Sequence, residues 1–270
     1  MLALSAIAKP PLVARGSGAP LVGDPVHATD LHGNDGLGGW TFCCERASKR
    51  ENTAKMSARP AAEAILQSAR QRPGGVTLLQ TGPATNAALA LRQDPGCFSG
   101  LRGIVMMAGA VWEPGNMTAT AEFNVYSDPE STQEVLRSRV PVTLVGLDVT
   151  RKVALTRELV EFELAGRNDE RAQFLRCICN QGFAFNKGAL GWEGMYLHDP
   201  LAAAVAIDRS LVEIRRMKVD VETQGELTRG MLVAERRAWK TGGENARVAM
   251  GVDAERFMRL FMERVFRPVN

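Results

Sequence analysis

The sequence predicts an α/β protein built on an open, mostly parallel sheet flanked by helices. Three observations carry that prediction. Apolar runs of strand length at residues 76–80, 104–107 and 142–147 alternate with stretches of helical periodicity. Each run is bounded by proline, glycine or small polar residues, the usual punctuation of a strand. The resulting β-α-β-α-β order favours parallel pairing, with functional groups collected at the carboxyl ends of the strands.

Taken in order, residues 60–72 predict a helix opened by Pro60 in the first turn and closed before Pro73-Gly74-Gly75. A second helix starts near Pro83, continues through 86–93 and stops at Asp94-Pro95. Residues 129–138 form the helix that leads back into the third strand, and 170–183 and 200–207 also read as helical. Residues 212–223 alternate like strand. The last helix, 254–266, places Phe257, Phe261 and Val265 on one core-facing stripe. With no repeat, low-complexity tract or linker, residues 1–270 are expected to form a single domain.

Composition narrows the function classes. Of 270 residues, 45% are hydrophobic, enough for a sizeable core. The 33 basic and 30 acidic residues are interleaved and leave a net charge of +3, with no basic run carrying aromatics, which argues against nucleic acid as a partner. No stretch approaches the roughly 18 continuous apolar residues of a membrane span, so no membrane partner is expected. The apolar opening MLALSAIAKP lacks basic residues ahead of it and is not expected to act as a signal peptide. The five cysteines, Cys43, Cys44, Cys97, Cys177 and Cys179, make no zinc-type pair and point to reduced thiols and a cytoplasmic location.

Three turn-rich segments place polar residues where such a sheet presents its ligands: 81–86, 107–124 and 197–200. Each also has a purely structural explanation. Thr81 or Thr85 could cap a helix, Asn116 could be a turn residue after Pro114-Gly115, and Met107 could be core. Asp199 could be an N-cap before Pro200. In the functional alternative, Asn116, Glu122 and Asn124 supply the mixture of amide and carboxylate groups that sugar hydroxyls require. Asp199 then faces a metal, and His198, which titrates near neutrality, faces a leaving group.

The segments GPATN, VMMAGA, PGNMTATAEFNVYSDPES, VPVTLVGLDVT, HDPLAAAVAID and GELTRGM occur in the order and approximate spacing of the inosine-uridine-preferring nucleoside hydrolase family. LHGNDGLGG resembles that family's His-Gly-x-x-Gly-Leu-Gly segment, so the likeness runs from about residue 10 to the C-terminus. The resemblance implies hydrolysis of the N-glycosidic bond of a ribonucleoside, by a calcium-bound water, to ribose and a free nucleobase. It carries calcium ligation to the Thr81 carbonyl and to Asp199, and ribose binding to Asn116, Glu122 and Asn124. Met107 matches an apolar position near the sugar, and His198 the candidate acid for the departing base. Phe183, Phe185, Trp192 and Tyr196 stand where family members touch the base, or they pack the core. A homodimer or homotetramer is implied, and the expected ligand is a small-molecule ribonucleoside.

One family feature is missing. Family members begin with a strand ending in Asp-x-Asp-x-x-x-Asp-Asp, which supplies calcium carboxylates and the general base. No such motif occurs here, and Asp24, Asp30 and Asp35 lack its spacing. The opening residues resemble an internal stretch of the family, so the first strand and its helix are expected to be absent. Calcium binding is then weakened or lost, because Thr81 and Asp199 offer two ligands against the six to eight oxygens, roughly, that calcium takes. Two alternatives follow: a start assigned too late, which the retained ribose and His-Asp positions favour, or a shortened homologue that has lost the calcium site and binds nucleoside or ribose without catalysis or serves a structural role.

Overall fold

The structure, a computed structural model, describes residues 11–40, 56–237 and 242–267. Strands β1 (Thr77–Gln80), β2 (Gly103–Met106) and β3 (Val142–Leu144) pair in parallel in that order. Two later strands extend the sheet: β6 (Val212–Met217) and β9 (Ala246–Val252). β9 lies parallel to β3, and β6 closes the far side antiparallel to β9, giving the order β1-β2-β3-β9-β6. Two short antiparallel pairs stand apart: β4 (Ala154–Thr156) with β5 (Gly194–Tyr196), and β7 (Val219–Val221) with β8 (Leu232–Ala234).

The continuous apolar runs are explained by burial on both faces of the sheet. Successive side chains of a strand point to opposite sides, so Ile104 and Met106 join one core while Val105 and Met107 join the other. On the first face pack α2 (Ala61–Gln71), α3 (Thr85–Gln93) and α6 (Pro129–Arg137), through Leu66, Ala88 and Leu136. On the second pack α9 (Glu170–Leu190), α10 (His198–Ile207) and α11 (Ala254–Phe261), through Phe183, Leu201 and Phe257.

Several expectations shift by a few residues for identifiable reasons. The third strand stops at Leu144, and at Gly146 the chain runs so close to the Gly109 carbonyl that a Cβ would lie 2.6 Å from it. It turns at once into α7 (Leu147–Thr150). The helix expected at 170–183 continues to Leu190 and ends on Gly191 in the left-handed region, φ 67°. Asp94-Pro95 ends one helix and begins another, α4 (Pro95–Phe98), with the Asp94 carboxylate accepting the Cys97 N–H at 2.9 Å. After Phe261 the last helix widens into a π-turn, Met262–Phe266.

β1 is an outer strand of the sheet, with Thr77 and Leu79 exposed and no partner on its far side among the described residues. The segment ahead of it is tied down by Asp128, a fully buried carboxylate that accepts the Leu21 N–H (2.9 Å), the Thr85 hydroxyl (2.6 Å) and the Ser131 N–H (3.1 Å). Among the described cysteines, Cys97, Cys177 and Cys179 are free thiols, while Cys43 and Cys44 lie outside the described residues.

Gly109, at φ 77°, tests this packing. A Cβ there would stand 2.0 Å from Leu232 Cδ1, adding a clash to a backbone conformation costly for L-residues. Gly109→Ala is expected to lower unfolding free energy by roughly 3 kcal/mol, combining backbone strain with overpacking. Gly74→Ala has the same sign of φ but open space and should lose only about 1 kcal/mol. Urea melts of the two variants measure the difference.

Candidate functional site

The carboxyl ends of β1, β2 and β3 converge on the loop from Met107 to Asn124, and its geometry follows from where its backbone hydrogen bonds go. Met107, the first residue beyond β2, donates its N–H to the Gln80 carbonyl at 2.8 Å. The loop then rises over α7. There the buried Asp148 carboxylate accepts three consecutive N–H groups, from Val111 (2.9 Å), Trp112 (2.7 Å) and Glu113 (3.2 Å). Arg151 holds the next stretch of the same loop, donating to the Pro114 carbonyl at 2.9 Å and the Gly115 carbonyl at 3.0 Å. Gly115 is required at its bend, since a Cβ would meet the Thr118 and Ala121 carbonyls at 2.3 Å.

Past the bend, Glu122 caps a short helix, α5 (Phe123–Ser127), by accepting the Asn124 N–H (2.9 Å) and the Val125 N–H (3.3 Å). It also reaches back to the Gly109 N–H at 2.9 Å, locking the end of β2 to the start of α5. Asn124 completes the lock by donating from Nδ2 to the Met107 carbonyl at 2.9 Å and its sulfur at 3.3 Å. Met107, Glu122 and Asn124 are all buried. The exposed Asn116 accepts the Phe123 N–H on Oδ1 at 2.8 Å, which leaves its Nδ2 donors without a partner among the described residues.

The His198-Asp199 pair opens α10, but the structure does not bear out Asp199 as its cap. The N-cap residue is Leu197, no side chain caps the helix, and His198 is its first residue. The Asp199 carboxylate makes no hydrogen bond or ion pair among the described residues and faces the field of Glu122. Thr81 and Thr85 are not caps either. Ala84 holds that position, Thr85 is bound to Asp128, and Thr81 stands exposed at the end of β1. His198 Nδ1 lies 2.7 Å from Thr150 Oγ1.

Burial sets the charges here. It pushes the Glu122 carboxyl up to about 7, outweighing its three N–H donors, with the Asp199 charge adding to the rise. Asp199 is still reached by water, yet protein crowds it closely enough to lift its carboxyl to about 6. Burial, followed by the Arg151 charge, brings the His198 imidazole down to about 4, so the ring is neutral at physiological pH.

Of the four aromatics considered for base contact, Phe183 is buried in the core beneath the Arg157 guanidinium, 5.1 Å from its ring centre. Phe185 is half-buried on α9. Trp192 and Tyr196 form a chain of rings toward His198, at 5.1 Å and then 5.8 Å. Two surface cavities, of about 440 and 260 Å³, lie elsewhere, against β7 and β8 and between α2 and β1; neither encloses these residues.

The described residues do not fit a calcium ion by themselves. Thr81 and Asp199 offer two ligand residues, and no group of three or more histidine, cysteine, aspartate or glutamate side chains that could hold a metal occurs among the described residues. Asp35 does not fill the gap, since its carboxylate closes its own glycine loop on the Leu37 and Gly39 N–H groups. The carboxylate and hydroxyl that support the site, Asp148 and Thr150, were not anticipated. The available signal was a polar Asp-x-Thr directly after an apolar strand.

The open α/β sheet carries amide and carboxylate side chains on the loop beyond β2, with His198 opening α10. The sequence profile described as inosine-uridine preferring nucleoside hydrolase matches residues 1–259, and the chain belongs to this family. By family it is a nucleoside N-ribohydrolase, a glycosidase acting on N-glycosyl bonds. It is 34% identical over 234 residues to a probable uridine nucleosidase 1 of Oryza sativa subsp. japonica, covering 86% of this chain and 69% of that one. Among solved structures, the plant nucleoside hydrolase PpNRh1 superposes with a TM-score of 0.83 at 27% identity, covering 95% of this chain and 80% of that one. A purine-preferring ribonucleoside hydrolase from Gardnerella vaginalis gives a TM-score of 0.83 at 29% identity, with coverage of 94% and 79%. The chain spans 61% to 80% of the length of the curated relatives it matches.

The raised pKa of Glu122 makes a signed prediction. Between its ordinary value of 4.5 and about 7 the folded state binds more protons at this group than the unfolded state, so its contribution to stability is lost as pH rises through that window. Glu122→Gln removes the titration. The difference in unfolding free energy between wild type and variant should change by on the order of 3 kcal/mol across the window and level off above it. Urea melts at closely spaced pH values check this, and a difference that stays constant with pH contradicts it.

Proposed function

We propose that this chain is a ribonucleoside-binding member of the family, taking the ribose on Asn116, Glu122 and Asn124 over Met107, without a calcium site built from the described residues alone. The Glu122 hub carries the proposal. A buried carboxylate that pins Gly109, Asn124 and Val125 at once sets a rigid wall, which limits the ordering cost of binding a small polar ligand. Asn116 offers two N–H donors that have no partner among the described residues, Asn124 its amide oxygen, and Glu122 its remaining lone pairs. Vicinal sugar hydroxyls, each donor and acceptor together, complement that set.

A second reading, hydrolysis of the ribonucleoside by water to ribose and nucleobase, is favoured by the placement of His198 at the start of α10, next to Asp199, whose charge reaches Glu122. A neutral imidazole can hydrogen-bond to the departing base and stabilise the charge that develops there as the N-glycosidic bond breaks. Activation of the water needs carboxylates that the described residues do not bring together. A cytoplasmic location, expected from the cysteine pattern, and a homodimeric or homotetrameric state, expected from the family, belong with this proposal.

Calorimetric titration with ribose, inosine and uridine, in chelator and in calcium, separates the two, with ribose release assayed in the same mixtures. Saturable binding in chelator, weakened roughly tenfold by Asn116→Ala as one ligand hydrogen bond is lost, is the expected result. Calcium-dependent ribose release would establish the hydrolytic reading in its place, and no binding under either condition would refute both.

A further inference from the structure

The imidazole of His198 has two unequal nitrogens, and what the ring offers a ligand depends on which one carries the proton. Nδ1 is 2.7 Å from the hydroxyl of Thr150, a residue with no exposed surface. A threonine in a helix commonly turns its hydroxyl back to the carbonyl four residues earlier. Here that carbonyl, on Gly146, already accepts the Val149 and Thr150 N–H groups at 3.2 and 3.1 Å and receives nothing from the hydroxyl. Among the described residues the Thr150 hydroxyl has Nδ1 as its one hydrogen-bond partner. A buried hydroxyl places its proton on an acceptor wherever it has one, so the hydroxyl donates and Nδ1 accepts. The alternative, Nδ1–H donating to Oγ1, would strand the hydroxyl proton in the protein interior.

The surroundings keep this contact fixed. α7 is anchored by the Leu147 N–H on the Gly109 carbonyl at 2.9 Å and by Asp148 on the loop above it. The branched Cβ of Thr150 restricts the hydroxyl further. On the other partner, the Leu197 N–H bound to the Val153 carbonyl at 3.0 Å sets the start of α10. The same short helix therefore shapes the loop that carries Asn116 and orients the ring of His198.

We infer that Thr150 is a positioning residue, which holds His198 in the tautomer protonated at Nε2 so that this N–H, rather than a lone pair, is presented to a hydrogen-bond acceptor on the nucleobase. The second half of this statement rests on the proposed nucleoside-binding function; the first does not. A purine or pyrimidine carries ring-nitrogen or carbonyl acceptors that such a donor would meet, whereas a ring protonated at Nδ1 would present a lone pair and repel them.

The test is nitrogen NMR of the full chain labelled with ¹⁵N-histidine. Only three histidines are present, His27, His32 and His198, and His198→Gln assigns the signals. At neutral pH the wild type should show His198 as one dominant tautomer, with Nδ1 pyridine-like and Nε2 pyrrole-like. Thr150→Val, which keeps the shape and removes the hydroxyl, should reduce that preference roughly tenfold, the worth of one buried hydrogen bond. Thr150→Ser should restore it. A wild-type ring protonated at Nδ1, or a tautomer ratio unchanged in folded Thr150→Val, overturns the inference. If the valine variant does not fold, the wild-type and serine spectra still decide. Addition of inosine or uridine then addresses the functional reading separately. A shifted Nε2 signal supports it, while an unmoved signal from an Nε2-protonated ring refutes nucleobase contact and leaves the role of Thr150 in the free protein standing.

Discussion

The carboxylate of Glu122 fixes the geometry on which the candidate site depends. It joins the end of β2 to the start of α5 through three backbone N–H groups. Removing a charged acceptor from buried donors costs more than the net worth of a hydrogen bond, because the donors are left without water. Holding the carboxylate in that place has its own cost, visible in a pKa raised by burial to about 7. A protein that needed only to close the loop could use a neutral acceptor. The retention of a charge-bearing group here is consistent with a second task, an acceptor for ligand hydroxyls.

Around that hub the supporting bonds form one connected network. Asp148 and Arg151 hold successive stretches of the loop, and Thr150, between them in sequence, sets His198. Through Asp148 and Thr150 a single short helix, α7, thus holds both the loop ahead of Asn116 and the ring of His198. Loop, helix and histidine meet at the carboxyl ends of parallel strands, where open α/β sheets bind their ligands. The incomplete part is equally local. Among the described residues Asp199 has no hydrogen-bond or ion-pair partner, Thr81 is exposed at the end of β1, and β1 has no partner on its outer side.

Much of this was legible in the sequence for a physical reason. Strands buried on both faces must be continuously apolar, so 76–80, 104–107 and 142–147 stood out, and proline marked the openings of α2 and α6. Asn116, Glu122 and Asn124 stood out as candidates because polar residues cluster after a strand. What sequence could not show were contacts between distant segments. Asp148 reaches Val111 across 37 positions, and Thr150 reaches His198 across 48. Asp199 had an equally good local explanation as an N-cap, and only the observed start of α10 at His198 removes it. Phe183 matched the base-contact stretch but faces the core, since a 21-residue helix has a buried side that its weak periodicity concealed.

The central claim is that the Glu122 hub and its two asparagines form a sugar-binding wall that does not depend on metal. The most direct measurement is a crystal structure of this chain grown with saturating ribose in the presence of chelator. The account predicts ribose with its hydroxyls within hydrogen-bond distance of Asn116, Glu122 and Asn124. Ribose bound elsewhere, or ordered at this wall only when calcium is supplied, would contradict it.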